Sequence, residues 1–415
     1  MLKINVKRYK LSNDLRIVVN EDFTTPLVAV NVLYKVGSKD ENPEKTGFAH
    51  LFEHLLFTGT KNVANFDEIV QLAYGENNAF TNTDITNYYI NLPAINIEIA
   101  LWLEADRMQF LNINSNSLEV QKKVVIEEFK QHYLNKPYGD VSHLLRSLIY
   151  KKHSYQWPTI GKKIEHIENA TLLDVEEFYE NWYVPNNAIL SISGNVNSDE
   201  VINLIEKWFG QIPPHKIKLP IIEEEPEKKE RTFLQVERNV PSSAIYMAFL
   251  MSERRTTLYY AYDMLSDILG NGNSSRLYQS LVKQKPIFSS INSYISGSID
   301  KGYLIIEGKI HNNYSLEQAE EEIWKVINEI PDTISEKELQ KQKNKYEANF
   351  IGSLIDINNK AEFLAYYEYL FDDANSINYE IEKYNQITIN QINKIIKEEI
   401  VYNKSVVLYY KKSDL

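Results

Sequence analysis

Apolar positions along this chain fall into short β-branched runs and longer helical stripes, and the succession occurs twice. Residues 15–20 (LRIVVN) and 27–36 (LVAVNVLYKV) predict strands. A polar loop, 37–45, leads to a helix at 46–57, with Thr46 as N-cap and no proline or glycine from 48 onward. A second helix is expected at 65–73, paired strands at 77–82 and 86–92, and a helix at 95–110 with Trp102 and Leu103 inward. A helix at 117–134 follows. Another starts at Thr171, where Asp174 makes a capping-box-like opening, and runs through Tyr183. Residues 188–193 predict a strand and 201–209 a helix.

The pattern then breaks at Pro213, Pro214, Pro220 and the acidic run Glu223-Glu224-Glu225-Pro226-Glu227, which is expected to be a solvated connector. It resumes with a strand at 244–251, a helix at 257–269, a helix from Ser275, a strand pair around 290–308, helices at 316–330 and 335–354, and a last strand at 405–410. This is the signature of an internal duplication. The expected fold class is α+β: two tandem similar α/β domains, each a mixed or antiparallel sheet with helices packed on one face. The bounds are 1–212, a linker at 213–230, and 231–415.

The chain's 415 residues suit two or three domains. A net charge of −12 argues against a nucleic-acid binder, which needs a basic face. The absence of cysteine excludes disulfides, thiolate metal sites and cysteine nucleophiles. The first fifteen residues lack the apolar core of a signal peptide, and no apolar run is long enough to span a bilayer. A cytoplasmic location is therefore expected.

Chemistry concentrates in the first strong helix. His50, Glu53 and His54 stand at i, i+3 and i+4, so all three project from one face, while Leu51, Phe52, Leu55 and Leu56 bury the rest. A lone histidine on an apolar helix is usually a core residue. Two at this spacing around a glutamate can grip one divalent ion and set a carboxylate beside it, the H-x-x-E-H pattern. In the helix at 117–134, Glu127 and Glu128 interrupt an apolar stretch, which reads either as a solvated pair or as one inward-pointing ligand. Gly270 to Ser275 holds a G-x-G, but no phosphate-loop lysine follows, so a helix-start turn is expected. His132, His143, His153, His166, His215 and His311 have no ligand spacing.

These motifs resemble the pitrilysin/insulinase family of zinc peptidases, closest to its short members related to the mitochondrial processing peptidase. Gly47 to Phe57 followed by Gly59-Thr60 matches the family's metal helix, and Asn78-Ala79-Phe80-Thr81 its substrate strand. Val124 to Glu128 matches the segment of its third ligand, 182–188 with 194–196 a landmark of its first domain, and 274–277 one of its second. The resemblance implies two domains facing each other around a clam-shell cavity. It implies Zn2+ held by His50, His54 and Glu128, with Glu53 as general base and substrate lying along Asn78, Ala79 and Phe80.

Two positions depart from the family. Gln121 stands where a glutamate often precedes the third ligand. Val282 and Ser289 stand where active members carry an Arg and a Tyr, with Lys283 and Tyr294 as nearby polar substitutes. The expected function is a zinc metalloendopeptidase acting on short or unfolded peptides, as the zinc-bearing subunit of a heterodimer. A related subunit lacking H-x-x-E-H would supply the Arg and Tyr. The alternatives are a non-catalytic assembly subunit and a self-sufficient homodimeric peptidase. Neither nucleic acid nor membrane is an expected partner.

Overall fold

The structure, a computed structural model, describes residues 3–413. Strands β1 (Lys7–Lys10), β2 (Arg16–Glu21), β3 (Leu27–Tyr34), β4 (Glu76–Thr81), β5 (Thr86–Pro93) and β6 (Ala188–Gly194) form a six-stranded sheet, ordered β1-β2-β6-β3-β5-β4. Strands β7 (Thr232–Arg238), β8 (Ala244–Leu250), β9 (Phe288–Ser296), β10 (Tyr303–Ile310) and β11 (Val406–Lys412) form a five-stranded sheet, ordered β7-β11-β8-β10-β9. Without β1 the two orders match element for element. Each sheet has one parallel pair, β2 with β6 and β7 with β11, and is otherwise antiparallel. The duplication expected from the sequence is therefore present in the topology, as two mixed sheets with helices.

Nine helices matter below. In the first half of the sequence these are α1 (Phe48–Leu55), α2 (Ile97–Gln109), α3 (Ser115–Phe129), α4 (Val141–Ile149) and α5 (Leu172–Trp182). In the second they are α6 (Thr257–Gly270), α7 (Leu316–Thr333), α8 (Ile357–Phe371) and α9 (Ile389–Glu398). Thr171 does cap α5, in a full capping box with Asp174. Helix α3 starts earlier than expected, because Asn114 caps it reciprocally with Ser117, and it continues as a π-helix over Lys130–Leu134.

The chain divides into two compact units, and each takes a segment from the opposite half of the sequence. The first holds the residues up to Gln131, Trp157–Ile222 and Phe350–Tyr379; the second holds His132–Gln156, Glu223–Asn349 and Glu380 onward. This differs from the linear division at 212 and 231. It also corrects the expectation of helices on one face only. In the second unit Ile245, Met247 and Phe249 of β8 pack with Leu265, Ile323 and Ile392 of α6, α7 and α9. The alternate residues Ala244, Tyr246 and Ala248 pack with Leu145 and Ile149 of α4. In the first unit Val18, Leu33 and Ile189 of the sheet pack with Leu364 and Ala365 of α8. The Arg8 guanidinium ties β1 to α8 by a bidentate bond to buried Glu368, at 2.7 and 2.8 Å.

The acidic run is not a freely solvated connector. Glu225 is 3% exposed, and its carboxylate accepts the backbone N–H groups of Lys151, Lys152 and His153 at 2.9 to 3.0 Å. Glu223 pairs with Lys152 and Glu224 with Lys301. A charge run can therefore dock where successive backbone N–H groups form an anion-binding nest.

Candidate metal centre

Helix α1 is seated by its apolar side. Leu51, Phe52, Leu55 and Leu56 are fully buried, and the Phe52 ring stacks on Phe178 of α5 at 4.8 Å and on Tyr183 at 5.3 Å. The opposite face carries His50, Glu53 and His54, all half-buried. The two imidazoles lie 4.8 Å apart, centroid to centroid, with planes at 87°. Helix α3 packs against α1 and delivers Glu128, whose Oε2 is 3.6 Å from His50 Nε2 and 3.4 Å from His54 Nε2. Glu127, one residue earlier, is turned by about 100°; it is 72% exposed and pairs with Lys130. So Glu127 faces solvent, and Glu128 faces the two histidines.

Among the described residues, His50, His54 and Glu128 are the one group of His, Asp or Glu able to offer three ligand atoms within 4.8 Å of one another. Ligand atoms about 2.1 Å from a tetrahedral ion stand roughly 3.4 Å apart, which is close to the two separations between Glu128 and the histidines, so the donor set suits zinc. Burial pushes the His50 imidazole down to about 4, partly countered by the Glu128 charge, so at neutral pH the ring is neutral with a lone pair to offer. Burial pushes the Glu53 carboxyl above its ordinary range, opposed by Thr81 at the end of β4 and by His54.

A stability prediction follows from His50. Unfolded, the ring titrates near 6.5; folded, near 4. The unfolded chain therefore binds more protons between these values, and the metal-free protein loses stability as pH falls from about 6.5 to 4, by roughly 3 kcal/mol from this group. Urea unfolding of metal-free protein at pH 7 and pH 4 should show His50→Gln less acid-sensitive than the parent by that amount. Equal sensitivity would contradict it.

Asn78, Ala79 and Phe80 lie in β4, which among the described residues pairs only with β5 and so forms the sheet edge. Asn78 is exposed, Ala79 and Phe80 are half-buried, and α1 packs against this strand. The Ala79 N–H donates to the Asn78 side-chain oxygen at 2.8 Å. Gln121 lies two turns before Glu128 on α3. In the second unit Val282 is half-buried against the core, and Ser289 is exposed in β9, donating to the Lys309 carbonyl at 3.1 Å. Tyr294 donates to Glu307 at 3.2 Å, and Lys283 is exposed.

One residue of this centre escapes the sequence reading. Thr46 is not the N-cap of α1. It accepts from the Lys162 N–H and meets His166, while the cap position falls to Gly47, at φ 91°. A side chain on Gly47 would be strained at that φ and would meet the Ile160 carbonyl oxygen at 2.7 Å. The free N–H groups of Gly47 and Ala49 donate instead to Glu41, at 2.9 Å each. The Trp157 indole N–H also donates to Glu41, at 3.1 Å. Burial pushes the Glu41 carboxyl up, and the three N–H donors, which favour its charged form, oppose that shift. The one signal available was an acidic residue in the loop before a helix preceded by glycine.

Residues 16–163 match the family model described as Insulinase (Peptidase family M16), and residues 169–346 the one described as Peptidase M16 inactive domain. The chain is 32% identical over 364 residues to the zinc protease PqqE of Helicobacter pylori, covering 86% of this chain and 82% of that protein. It is 29% identical over 396 residues to the uncharacterized zinc protease YmxG of Bacillus subtilis, covering 95% of each. The crystal structure of a protease from Helicobacter pylori superposes with a TM-score of 0.92 at 29% identity, over 98% of this chain and 100% of that one. No helix among the described residues is long and apolar enough to cross a membrane. With its two matching sheets and these relatives, the chain belongs to the insulinase family, peptidase family M16.

Proposed function

We propose that this chain is a zinc metalloendopeptidase that hydrolyses short or unfolded peptides. The observation that carries the reading is the convergence of His50, His54 and Glu128 within 4.8 Å, with Glu53 on the same helix face. A zinc ion held by these three would supply Lewis-acid polarisation of a peptide carbonyl and a lowered pKa for an attacking water. Glu53 takes the proton of that water and later passes it to the nitrogen of the leaving amine. Its partial burial raises its proton affinity, which suits a group that must both accept and release a proton near neutral pH.

The substrate joins β4 as an added strand. Backbone hydrogen bonds along Asn78, Ala79 and Phe80 would hold an extended peptide with little demand on its sequence. The Asn78 side-chain oxygen on the Ala79 N–H stands where a substrate carbonyl would bind, and it has to swing away first. Extended chain is what such an edge accepts, which favours short or unfolded peptides over folded ones.

The chain acts as the zinc-bearing half of a heterodimer. Val282 has no polar group, and the Ser289 hydroxyl is turned to the Lys309 carbonyl, so neither takes the place of the Arg and Tyr that the family resemblance implies. A related subunit lacking H-x-x-E-H supplies an Arg and a Tyr.

Metal analysis and cleavage of an internally quenched peptide test the reading. Expected are one zinc per chain and cleavage, with the partner present, that a chelator abolishes and added zinc restores. A chain that binds no zinc overturns it. Full activity without any partner overturns the divided site alone.

A further inference from the structure

We propose that Glu41, held by Trp157, is the positioning residue that fixes His50 in the metal centre, acting through the first turn of α1. The proposal rests on the reading of the centre given above. A ligating histidine usually donates its second ring N–H to a carboxylate or carbonyl, which fixes the plane of the ring. His50 has no such support: its Nδ1 is buried and finds no hydrogen-bond partner among the described residues. Its orientation must come from the backbone that carries it.

That backbone is weakly held by the helix itself. His50 is the third residue of α1, in the turn where N–H groups have no intrahelical acceptor. The first ladder bond of the helix is from the Leu51 N–H to the Gly47 carbonyl, at 3.0 Å. Gly47 supplies no side-chain cap. His54 lies a turn further on, within the ladder, and depends on it less.

Glu41 supplies what the turn lacks. Its two oxygens take one N–H each, from Gly47 and from Ala49, the residue immediately before His50. Glu41 is 3% exposed, and the Trp157 N–H, itself also bonded to the Ser38 carbonyl at 3.0 Å, anchors the carboxylate at the oxygen that takes the Gly47 N–H. Two diverging acceptor oxygens are needed for this. A glutamine of the same size offers one acceptor and turns an NH2 group toward an N–H.

The test uses the full chain with zinc or cobalt(II). Glu41→Gln is expected to weaken zinc binding about tenfold to a hundredfold, read by competition with a chromophoric chelator. It should also change the visible absorption of the cobalt-loaded protein, which reports ligand geometry. Trp157→Phe keeps the carboxylate and removes one of its anchors, so it should move both readouts in the same direction by less; it also serves if Glu41→Gln does not fold. Val407→Ala, a core truncation in β11, controls for lost stability and should leave the cobalt spectrum unchanged. A parent-like affinity and spectrum in the folded Glu41 variant, or in Trp157→Phe if that is the one that folds, overturns the proposal while the metal centre stands. A parent chain that binds neither metal overturns the centre and the proposal together.

Discussion

Glu53→Gln is expected to lower peptide hydrolysis by about a thousandfold while leaving zinc binding intact, a loss of the size general-base removal produces. The two halves of this expectation rest on different atoms. The donor set is His50, His54 and Glu128, and Glu53 is not part of it. Replacing a carboxylate by an amide of the same shape leaves α1, with its apolar side against α5, undisturbed. What the amide cannot do is take a proton from water and hand it to the departing amine. The measurement pairs metal content with single-turnover cleavage, so that slow product release cannot hide the chemical step. Loss of zinc from the variant would mean that Glu53 helps to hold the ion, and the assigned roles would have to be redrawn.

The second large effect concerns stability. Glu104 and Arg107 of α2 are 0% and 1% exposed and pair at 3.4 Å. The guanidinium lies over the rings of Phe66 at 3.9 Å and Tyr88 at 4.7 Å. Burial pushes the Glu104 carboxyl up and Arg107 holds it down. Arg107→Met removes the cation and leaves the acid enclosed by apolar and aromatic groups. The expected cost is about 3–5 kcal/mol, as for other broken buried pairs. Adding Glu104→Leu removes the stranded acid, so the double variant should recover most of that loss. Urea unfolding of the four proteins in this cycle checks it. A double variant as unstable as the sum of the single ones would mean that each residue matters for its packing and not for the pair.

The parts of this architecture that were legible in the sequence are those fixed by near neighbours. His50, Glu53 and His54 share a face because of helical spacing alone, and the β-branched runs mark β2, β3, β5, β6 and β8 closely. Glu128 was different. Adjacent residues of a helix point about 100° apart, and only the packing of α3 on α1 decides which of Glu127 and Glu128 meets the histidines. Thr46 looked like a cap from its type, but Gly47, in the left-handed region, moves the helix start one residue on and passes the capping task to Glu41. Helix α8 gave no stripe because it is apolar on more than one side: Leu364, Ala365 and Tyr367 are buried, and Phe363, Tyr366 and Tyr369 pack against the same cluster. Leu103 is buried as expected, whereas Trp102 is half-buried against Trp208.

The exchange of segments between the halves of the sequence has a consequence for synthesis. The sheet built from β1 to β6 is complete in sequence at Gly194, yet the helix covering Val18, Leu33 and Ile189 ends at Phe371. A ribosome adding roughly 5–20 residues per second leaves that apolar face bare for some ten to thirty seconds. During this interval the nascent chain is a natural client for chaperones, and its first unit cannot close as an independent early domain. Folding must instead wait for contacts of very long sequence separation, the class of contact that slows folding most. Cutting the gene at the acidic run would therefore yield two fragments that each carry a helix belonging to the other, and they would fold only when produced together.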